Sequence, residues 1–263
     1  MPEGLRAGHR VSWREAGEGG RRALLVHCSL AHSGAWSGVA ERLSCQLRMT
    51  AFDMPGHGRS GDWPGGDFQA ETVAIAGTFC DGPTDLVGHS FGGTVALRLA
   101  LERPELVRSL VLIEPVLFAL VEGGPEHRAL GEALAPYRAA LDRGDAEAAA
   151  RAFNLVWGVS PWEALDPAQR EAMVARIDLI EAGAPALDHD SGGVLAPGRL
   201  EGIRVPVLLI EGGSSPLVIA AIHARVAERV QRASRVSVPG ARHMVPVSHP
   251  EAVAAAIGGF LPE

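Results

Sequence analysis

The sequence of 263 residues contains no lysine, so all 24 basic residues are arginines. This absence excludes a Schiff-base lysine, a Ser–Lys dyad and a P-loop, because each of them requires a lysine side chain. Tyrosine occurs once, at Tyr137, and without lysine it cannot form a Tyr–Lys pair for hydride transfer. The 31 acidic residues give a formal net charge of -7, with no dense run of either sign. We therefore expect no nucleic-acid partner, because such partners select a basic surface.

Cysteine is also scarce, and Cys28, Cys45 and Cys80 lie far apart without a CxxC spacing. This pattern favours neither a zinc site nor a disulfide framework. Acidic and histidine clusters lack metal-ligand spacing, and no GxGxxG follows a strand, so we expect no metal and no nucleotide cofactor. No apolar run approaches about 18 residues, and the first residues lack an apolar signal core. These absences favour a soluble, cytoplasmic protein that does not bind membranes.

Short apolar runs alternate with longer helical patterns, which predicts a mostly parallel, doubly wound α/β sheet covered on both faces. The predicted strands are His9–Trp13, Arg22–His27, Arg48–Asp53, Thr84–Val87, Arg108–Ile113, Val205–Ile210 and Ser234–Val238. The predicted helices among them are Trp36–Leu47, Asp67–Phe79, Phe91–Glu102, Leu217–Val230 and Pro250–Phe260. At 47% hydrophobic residues, the chain is long enough for one such domain.

The stretch between the strands near residues 113 and 205 has helical patterns and no strand-like run. The predicted helices there are Glu126–Arg143, Asp145–Trp157 and Asp166–Ala182. Asp166 and Pro167 form a typical helix start, with a capping side chain before a proline. We interpret residues 115–199 as a helical lid inserted into a core formed by residues 1–114 and 200–263. The Gly/Pro-rich stretch Ser191–Gly202 is the expected return hinge.

The segment Gly88-His89-Ser90-Phe91-Gly92 lies between a predicted strand and a predicted helix. A sharp strand-to-helix turn with serine at its tip is the geometry of a nucleophile elbow. Glycines on both sides permit close backbone approach, and the helix N-terminus favours a developing oxyanion. Ser90 is therefore the candidate nucleophile.

Three more segments accompany the elbow: Val26–Ser29, Phe52–Ser60 and Gly240–Pro246. With them the chain resembles the α/β-hydrolase fold superfamily over nearly its whole length outside the predicted lid. The resemblance implies that His243, on the loop after the last strand, is the general base. The chain order, serine first and histidine last, agrees with that role. The resemblance also implies that Phe52–Ser60 is a structural turn.

The same resemblance implies an oxyanion hole made by the backbone N–H groups of Phe91 and Ser29. The superfamily usually has His-Gly at the bend before the second donor, whereas this chain has His27-Cys28. Cysteine carries a Cβ, so either its φ is negative or the bend is altered and the donor assignment shifts. Cys28 itself is more typical of a small buried hydrophobic residue than of a reactive thiol.

The acid of the triad departs from the superfamily pattern. Most members place an aspartate in a G-x-x-D motif after the strand VLLI, and here Ser215 occupies that position. A hydroxyl cannot stabilise an imidazolium as a carboxylate does, and losing that charge typically costs about 10⁴ in rate. Glu114 follows the strand after the elbow helix, a position where some members carry the acid. Adjacent strand ends lie about 5 Å apart, so Glu114 is our candidate, with Glu211 or Asp188 as alternatives.

The sequence thus predicts a serine hydrolase that cleaves a small-molecule carboxylic ester or related acyl bond through an acyl-enzyme. Carbon–carbon bond hydrolysis, lactone opening and perhydrolysis use the same machinery and remain alternatives, as does a non-catalytic ligand-binding or scaffolding member of the fold. Aromatic and sulfur-containing side chains that could line an apolar pocket, or simply pack in the core, are Trp36, Phe118, Phe153, Trp157, Trp162 and Met173. The sequence does not specify the oligomeric state.

Overall fold

Eight strands form one sheet in the computed structural model, which describes residues 1–261. Their bounds are β1 Glu3–Arg6, β2 His9–Ala16, β3 Arg21–Val26, β4 Leu47–Phe52, β5 Thr84–His89, β6 Val107–Ile113, β7 Val207–Gly212 and β8 Ala233–Val238. The strand order is β1-β2-β4-β3-β5-β6-β7-β8. The pairs among β3 to β8 are parallel, and β1 and β2 pair antiparallel at one edge. The predicted α/β class with a mostly parallel sheet is confirmed.

From β3 onwards helices alternate with the strands, except between β6 and β7, where several helices follow one another. Their bounds are α1 Ser37–Leu43, α2 Phe68–Gly77, α3 Phe91–Glu102, α4 Pro125–Ala133, α5 Ala135–Asp142, α6 Ala146–Trp157, α7 Pro167–Val174, α8 Asp178–Asp188, α9 Leu217–Arg229, α10 Val245–Ser248 and α11 Pro250–Phe260. Short 3-10 turns occupy Ser33–Trp36, Pro104–Leu106, Phe118–Val121, Trp162–Ala164 and Leu200–Gly202. Among residues 1–261, no helix is long and apolar enough to cross a membrane.

The central strands are apolar almost throughout because both of their faces are covered. In β3, Leu24 and Val26 enter the core cluster that contains side chains of α2, α3 and α9. Leu25, between them, enters the opposite cluster, which contains side chains of α1 and α11. Because successive strand residues point to opposite faces, a continuous apolar run supplies both cores.

The structure divides two of the predicted helices. The predicted helix Glu126–Arg143 is two helices, α4 and α5, and Pro136 lies in the first turn of α5. Proline lacks a backbone N–H and is compatible with a first turn but not with a helix interior. The predicted helix Asp166–Ala182 is likewise divided into α7 and α8. The edge strand β1 has no counterpart among the predicted strands.

The parallel strands carry their C-terminal ends to one edge of the sheet. Register pairs His89 with Ile113 and Ile113 with Ile210, so the ends of β5, β6 and β7 lie side by side. Helices α4 to α8 all lie in the chain between β6 and β7. The segment predicted to be a lid is therefore helical, while its status as a separate lid domain and its bounds stay predictions.

Candidate active site

Ser90 occupies a tight turn between β5 and α3. It has φ 55° and ψ −119°, a backbone conformation that side-chain-bearing residues rarely adopt. A Cβ at Gly88 would overlap the backbone of Gly92 and Gly93, and a Cβ at Gly92 would overlap the carbonyl oxygen of Val26. Both glycines are thus required by close backbone approach, and the turn presents the Ser90 side chain at the sheet edge.

The three predicted triad side chains meet in one hydrogen-bonded chain. Ser90 Oγ lies 2.9 Å from Nε2 of His243, and His243 Nδ1 lies 2.6 Å from Oε2 of Glu114. Each comes from a different loop at the C-terminal edge, after β5, β8 and β6 respectively. The exposed fractions of Ser90, His243 and Glu114 are 7%, 4% and 0%, so these three side chains are almost inaccessible to water. Low water access strengthens the electrostatic interactions among the three groups.

The carboxylate of Glu114 is held on its other side as well. Its Oε1 accepts the Gly212 N–H at 2.6 Å and the hydroxyl of Ser215. Ser215, which stands where most superfamily members have an aspartate, therefore contacts the candidate acid Glu114. Of the alternative acids, Glu211 pairs with Arg235 at 3.3 Å, and Asp188 lies in the wall of the cavity beside the site. Sequence reasoning missed Gly212 and Ser215 as donors to Glu114, although the G-x-x-S pattern was a signal.

In the bend around Ser29, Cys28 has a negative φ. The residue of this bend that has a positive φ is Leu30, at 60°. The Leu30 N–H donates to Nε2 of His57 at 3.1 Å, so it is occupied. Ser29 lines the same cavity as Ser90, and Phe91 is the first residue of α3, whose N–H has no acceptor within the helix. Cysteine at position 28 is therefore compatible with the expected arrangement of the bend.

Cys28 is buried, and its thiol is not activated as a nucleophile. It is 3% exposed, and its Sγ lies 3.8 Å from Sδ of Met244. Burial raises the pKa of the Cys28 thiol to about 12. Because the thiolate is the nucleophilic form, this thiol is not activated, as expected for a small buried hydrophobic residue.

Histidines hold the loops that carry the site. His27 Nε2 accepts the Met54 N–H at 3.0 Å while its Nδ1–H donates to the Cys28 carbonyl at 2.7 Å. His57 likewise accepts from Leu30, and its Nδ1–H donates to the carbonyl of Pro55 at 2.9 Å. A ring that accepts at one nitrogen must be neutral. These contacts brace the bend next to Ser29.

His89 braces the opposite side of the site, where its Nε2–H donates to the carbonyl of His243 at 2.9 Å. Burial lowers the pKa of His27 to about 4 and the pKa values of His57 and His89 to about 3. Burial also lowers the pKa of His223, on α9, to about 3. We refer to these four neutral rings, His27, His57, His89 and His223, as the buried histidines.

A cavity of about 1250 Å³ lies next to Ser90 and His243, between the sheet edge and helices of the segment between β6 and β7. Four of the predicted pocket residues line it: Phe118, Phe153, Trp157 and Met173. The Trp157 ring lies 4.6 Å from the His243 ring, edge to face, and so covers the general-base candidate.

Two predicted pocket residues lie elsewhere. Trp36 is 2% exposed and packs in the core cluster with α1 and α11, because the 3-10 turn that ends there directs it to that face of the sheet. Trp162 packs with Tyr137 and Ile177 in a separate small core among the helices between β6 and β7. Both lie in packing clusters and outside the lining of this cavity, which is the alternative of core packing that the sequence had left open for them.

A parallel sheet with a serine at the elbow and a buried imidazole–carboxylate pair behind it defines a hydrolase of the α/β type. The sequence comparison agrees with the geometry. Residues 23–256 match the model of the Alpha/beta hydrolase family. The chain belongs to this family.

Individual relatives match this chain over very different lengths. Pimeloyl-(acyl-carrier protein) methyl ester esterase of Nitrosomonas europaea is 42% identical over 90 residues, which are 34% of this chain and 35% of that relative. The enzyme of the same name from Yersinia enterocolitica is 26% identical over 258 residues, 95% of this chain and 97% of its own length. The enol-lactonase structure from Burkholderia xenovorans LB400 superposes with a TM-score of 0.78 at 20% identity, covering 100% of both chains. At 20% identity, the structural similarity shows a shared fold and nothing about the activity of this chain.

Proposed function

We propose that this hydrolase cleaves carboxylic esters through an acyl-enzyme on Ser90. The Ser90 oxygen attacks the carbonyl carbon while its proton passes to Nε2 of His243. The Glu114 carboxylate keeps the Nδ1 proton in place and stabilises the imidazolium. When the tetrahedral intermediate collapses, the alcohol leaves with the proton from His243. Water then attacks the acyl group in the same way and releases Ser90.

The N–H groups of Phe91 and Ser29 are proposed to bind the oxyanion. Phe91 brings the positive end of α3 to the reaction centre, and preorganised donors of this kind typically contribute 10²–10³ in kcat. The occupied N–H of Leu30 supports Ser29 rather than Leu30 as the second donor. Bracing of this bend by His57 supports a fixed donor position.

One observation carries the proposal: the continuous contact Ser90–His243–Glu114, with distances of 2.9 and 2.6 Å. A non-catalytic member of the fold was suggested by Ser215 in the position of the acid and Cys28 in the bend. The contact of Glu114 with His243 and the negative φ of Cys28 weaken both arguments. Ester hydrolysis is thus the function that the geometry supports best.

We further propose that residues 115–199 act as a lid over the cavity and that the cavity selects neutral or cationic esters. The segment has thirteen acidic residues and seven arginines, so it holds most of the net negative charge of the chain. The described cavity lining includes one arginine, Arg138, against four carboxylates: Asp142, Asp178, Glu181 and Asp188. Such a lining disfavours anionic substrates and acidic carrier proteins. A free ester is therefore the proposed substrate, unlike the carrier-bound ester in the names of the relatives above.

Hydrolysis of p-nitrophenyl acetate and butyrate tests the reaction. We expect Ser90→Ala to abolish turnover and labelling by a fluorophosphonate probe, since both require the Ser90 oxygen. The matched control is Ser214→Ala, an exposed serine outside the hydrogen-bonded chain, which should behave as wild type. Equal turnover by wild type and Ser90→Ala would overturn the proposal.

A pair of substrates tests the charge preference. p-Nitrophenyl pentanoate and mono-p-nitrophenyl glutarate have similar length and differ by a terminal carboxylate. We expect kcat/KM to favour the neutral ester, and the ratio to decrease as salt screens the cavity charges. A preference for the glutarate would contradict the proposed selection.

A further inference from the structure

We propose that Ser215 is a positioning residue: its hydroxyl, together with the Gly212 N–H, fixes the Glu114 carboxylate so that one oxygen faces His243. The inference rests on the proposed function, because it assigns a role within the same site. Oε1 of Glu114 receives both of these donors, and Oε2 receives the Nδ1–H of His243. The two oxygens of one carboxylate thus have separate tasks.

The burial of Glu114 makes these donors necessary. Its side chain is 0% exposed, and a buried carboxylate is costly unless hydrogen bonds replace its water. Its ion-pair partner within the described residues is His243, and the two donors on Oε1 are neutral. Neutral donors stabilise the charge without neutralising it. The full negative charge therefore remains available to the imidazolium.

Geometry explains why a backbone donor alone would not be enough. Glu114 has φ 48° and lies just beyond β6, where its N–H donates to the Ile210 carbonyl at 2.9 Å; this bond fixes its backbone but not its carboxylate. The terminal torsion of glutamate is broad, so with Gly212 as the single donor on Oε1 the carboxylate keeps a rotational freedom that only its bond to His243 opposes. A second donor, from Ser215, removes that freedom. Rotation would turn Oε2 away from Nδ1.

Steady-state kinetics on the full chain tests the role. We expect Ser215→Ala to lower kcat roughly 10- to 100-fold, the effect of losing a hydrogen bond to a charged group, with KM within about twofold. Ser215→Thr keeps the hydroxyl and should restore most of kcat. The control Ser214→Ala should leave both parameters unchanged. A Ser215→Ala variant with wild-type kcat but a lower Tm would show a purely structural serine and overturn the proposal.

Position 215 offers a stricter test. Because the Ser215 hydroxyl contacts Oε1 of Glu114, an aspartate introduced there would bring a carboxylate close to the same place. Ser215→Asp in the Glu114→Gln background should therefore recover at least tenfold in kcat over Glu114→Gln alone. No recovery in a folded double variant would contradict the placement of position 215 next to the acid.

A spectroscopic readout separates this inference from the proposed function. The proton between His243 Nδ1 and Glu114 should give a far-downfield NMR signal. We expect the signal to move upfield or broaden in Ser215→Ala and to persist in Ser215→Thr. If wild type neither hydrolyses esters nor reacts with a fluorophosphonate, the proposed function fails. The signal still decides the positioning role, and an unchanged signal in Ser215→Ala overturns it.

Discussion

Replacement of Glu114 by glutamine removes the negative charge next to His243 but keeps the shape of the side chain. The Gly212 N–H can only donate, so the amide oxygen of the new side chain must occupy the Oε1 position. The amide NH₂ then faces His243 and donates to Nδ1. His243 must accept at Nδ1 and carry its proton on Nε2, which points at Ser90. In this tautomer it cannot take the proton of Ser90.

The expected loss follows from this tautomer reversal. The same change in a serine-protease triad costs about 10⁴ in kcat, equivalent to about 5.5 kcal/mol of transition-state stabilisation. We expect Glu114→Gln to lower kcat by about 10³ to 10⁴ with little change in KM. The protein should stay folded, because a neutral amide of the same shape replaces a buried charge and keeps the bond to Gly212.

The assay is hydrolysis of p-nitrophenyl butyrate, with circular dichroism to verify folding. The matched control is Glu211→Gln, the same chemical change in β7, where the side chain pairs with Arg235 and not with His243. Glu211→Gln should keep wild-type kcat. If Glu114→Gln retains kcat within about threefold, or if Glu211→Gln loses as much, the acid has been assigned to the wrong residue.

Three more outcomes are expected. The buried histidines bind protons in the unfolded chain below about pH 6.5 but stay neutral in the folded protein, so the free energy of unfolding should fall as the pH drops from 6.5 towards 4. At pH 5 each of them lowers the free energy of unfolding by about 2 kcal/mol, and an unchanged urea midpoint between pH 7 and pH 5 would contradict this. Native protein at pH 8 should react with one equivalent of a thiol reagent, at the exposed Cys45, and unfolded protein with three equivalents, because burial raises the pKa of Cys80 to about 11 and that of Cys28 further. Rapid reaction of all three thiols in the native protein would refute this. Gly92→Ala should lower Tm by several degrees, because its Cβ meets the Val26 carbonyl; an unchanged Tm would disprove the overlap.

Local signals in the sequence predicted much of the fold. Helices α3 and α11 have the predicted ends, because Pro104 and Pro250 mark one boundary of each. The central strands were recognisable from apolar runs, since both of their faces are buried. Strand β1 gave no such signal, because Glu3–Arg6 is a short edge strand whose residues alternate between exposed and half-buried.

The site was predictable where a local motif determines the geometry. Ser90 follows from the elbow, whose glycines are required by contacts within a few residues and with β3. Pocket residues were less predictable, because an aromatic side chain in a sequence does not reveal which core it joins. Trp157 lines the cavity whereas Trp162, five residues later, packs away from it.

The candidate acid, Glu114, was the hardest site residue to predict, because its position depends on a break in strand alternation. Ile113 and Ile210 are paired and both enter the cluster with α1 and α11. Continued alternation would direct Glu114 to the opposite face, the one on which Glu211 meets His223 of α9. The positive φ at Glu114 ends the alternation, and the side chain contacts His243 instead. A positive φ at a glutamate leaves no pattern in a sequence, so strand order alone limits the acid to a few candidates, and the choice of Glu114 among them depended on the resemblance to the superfamily.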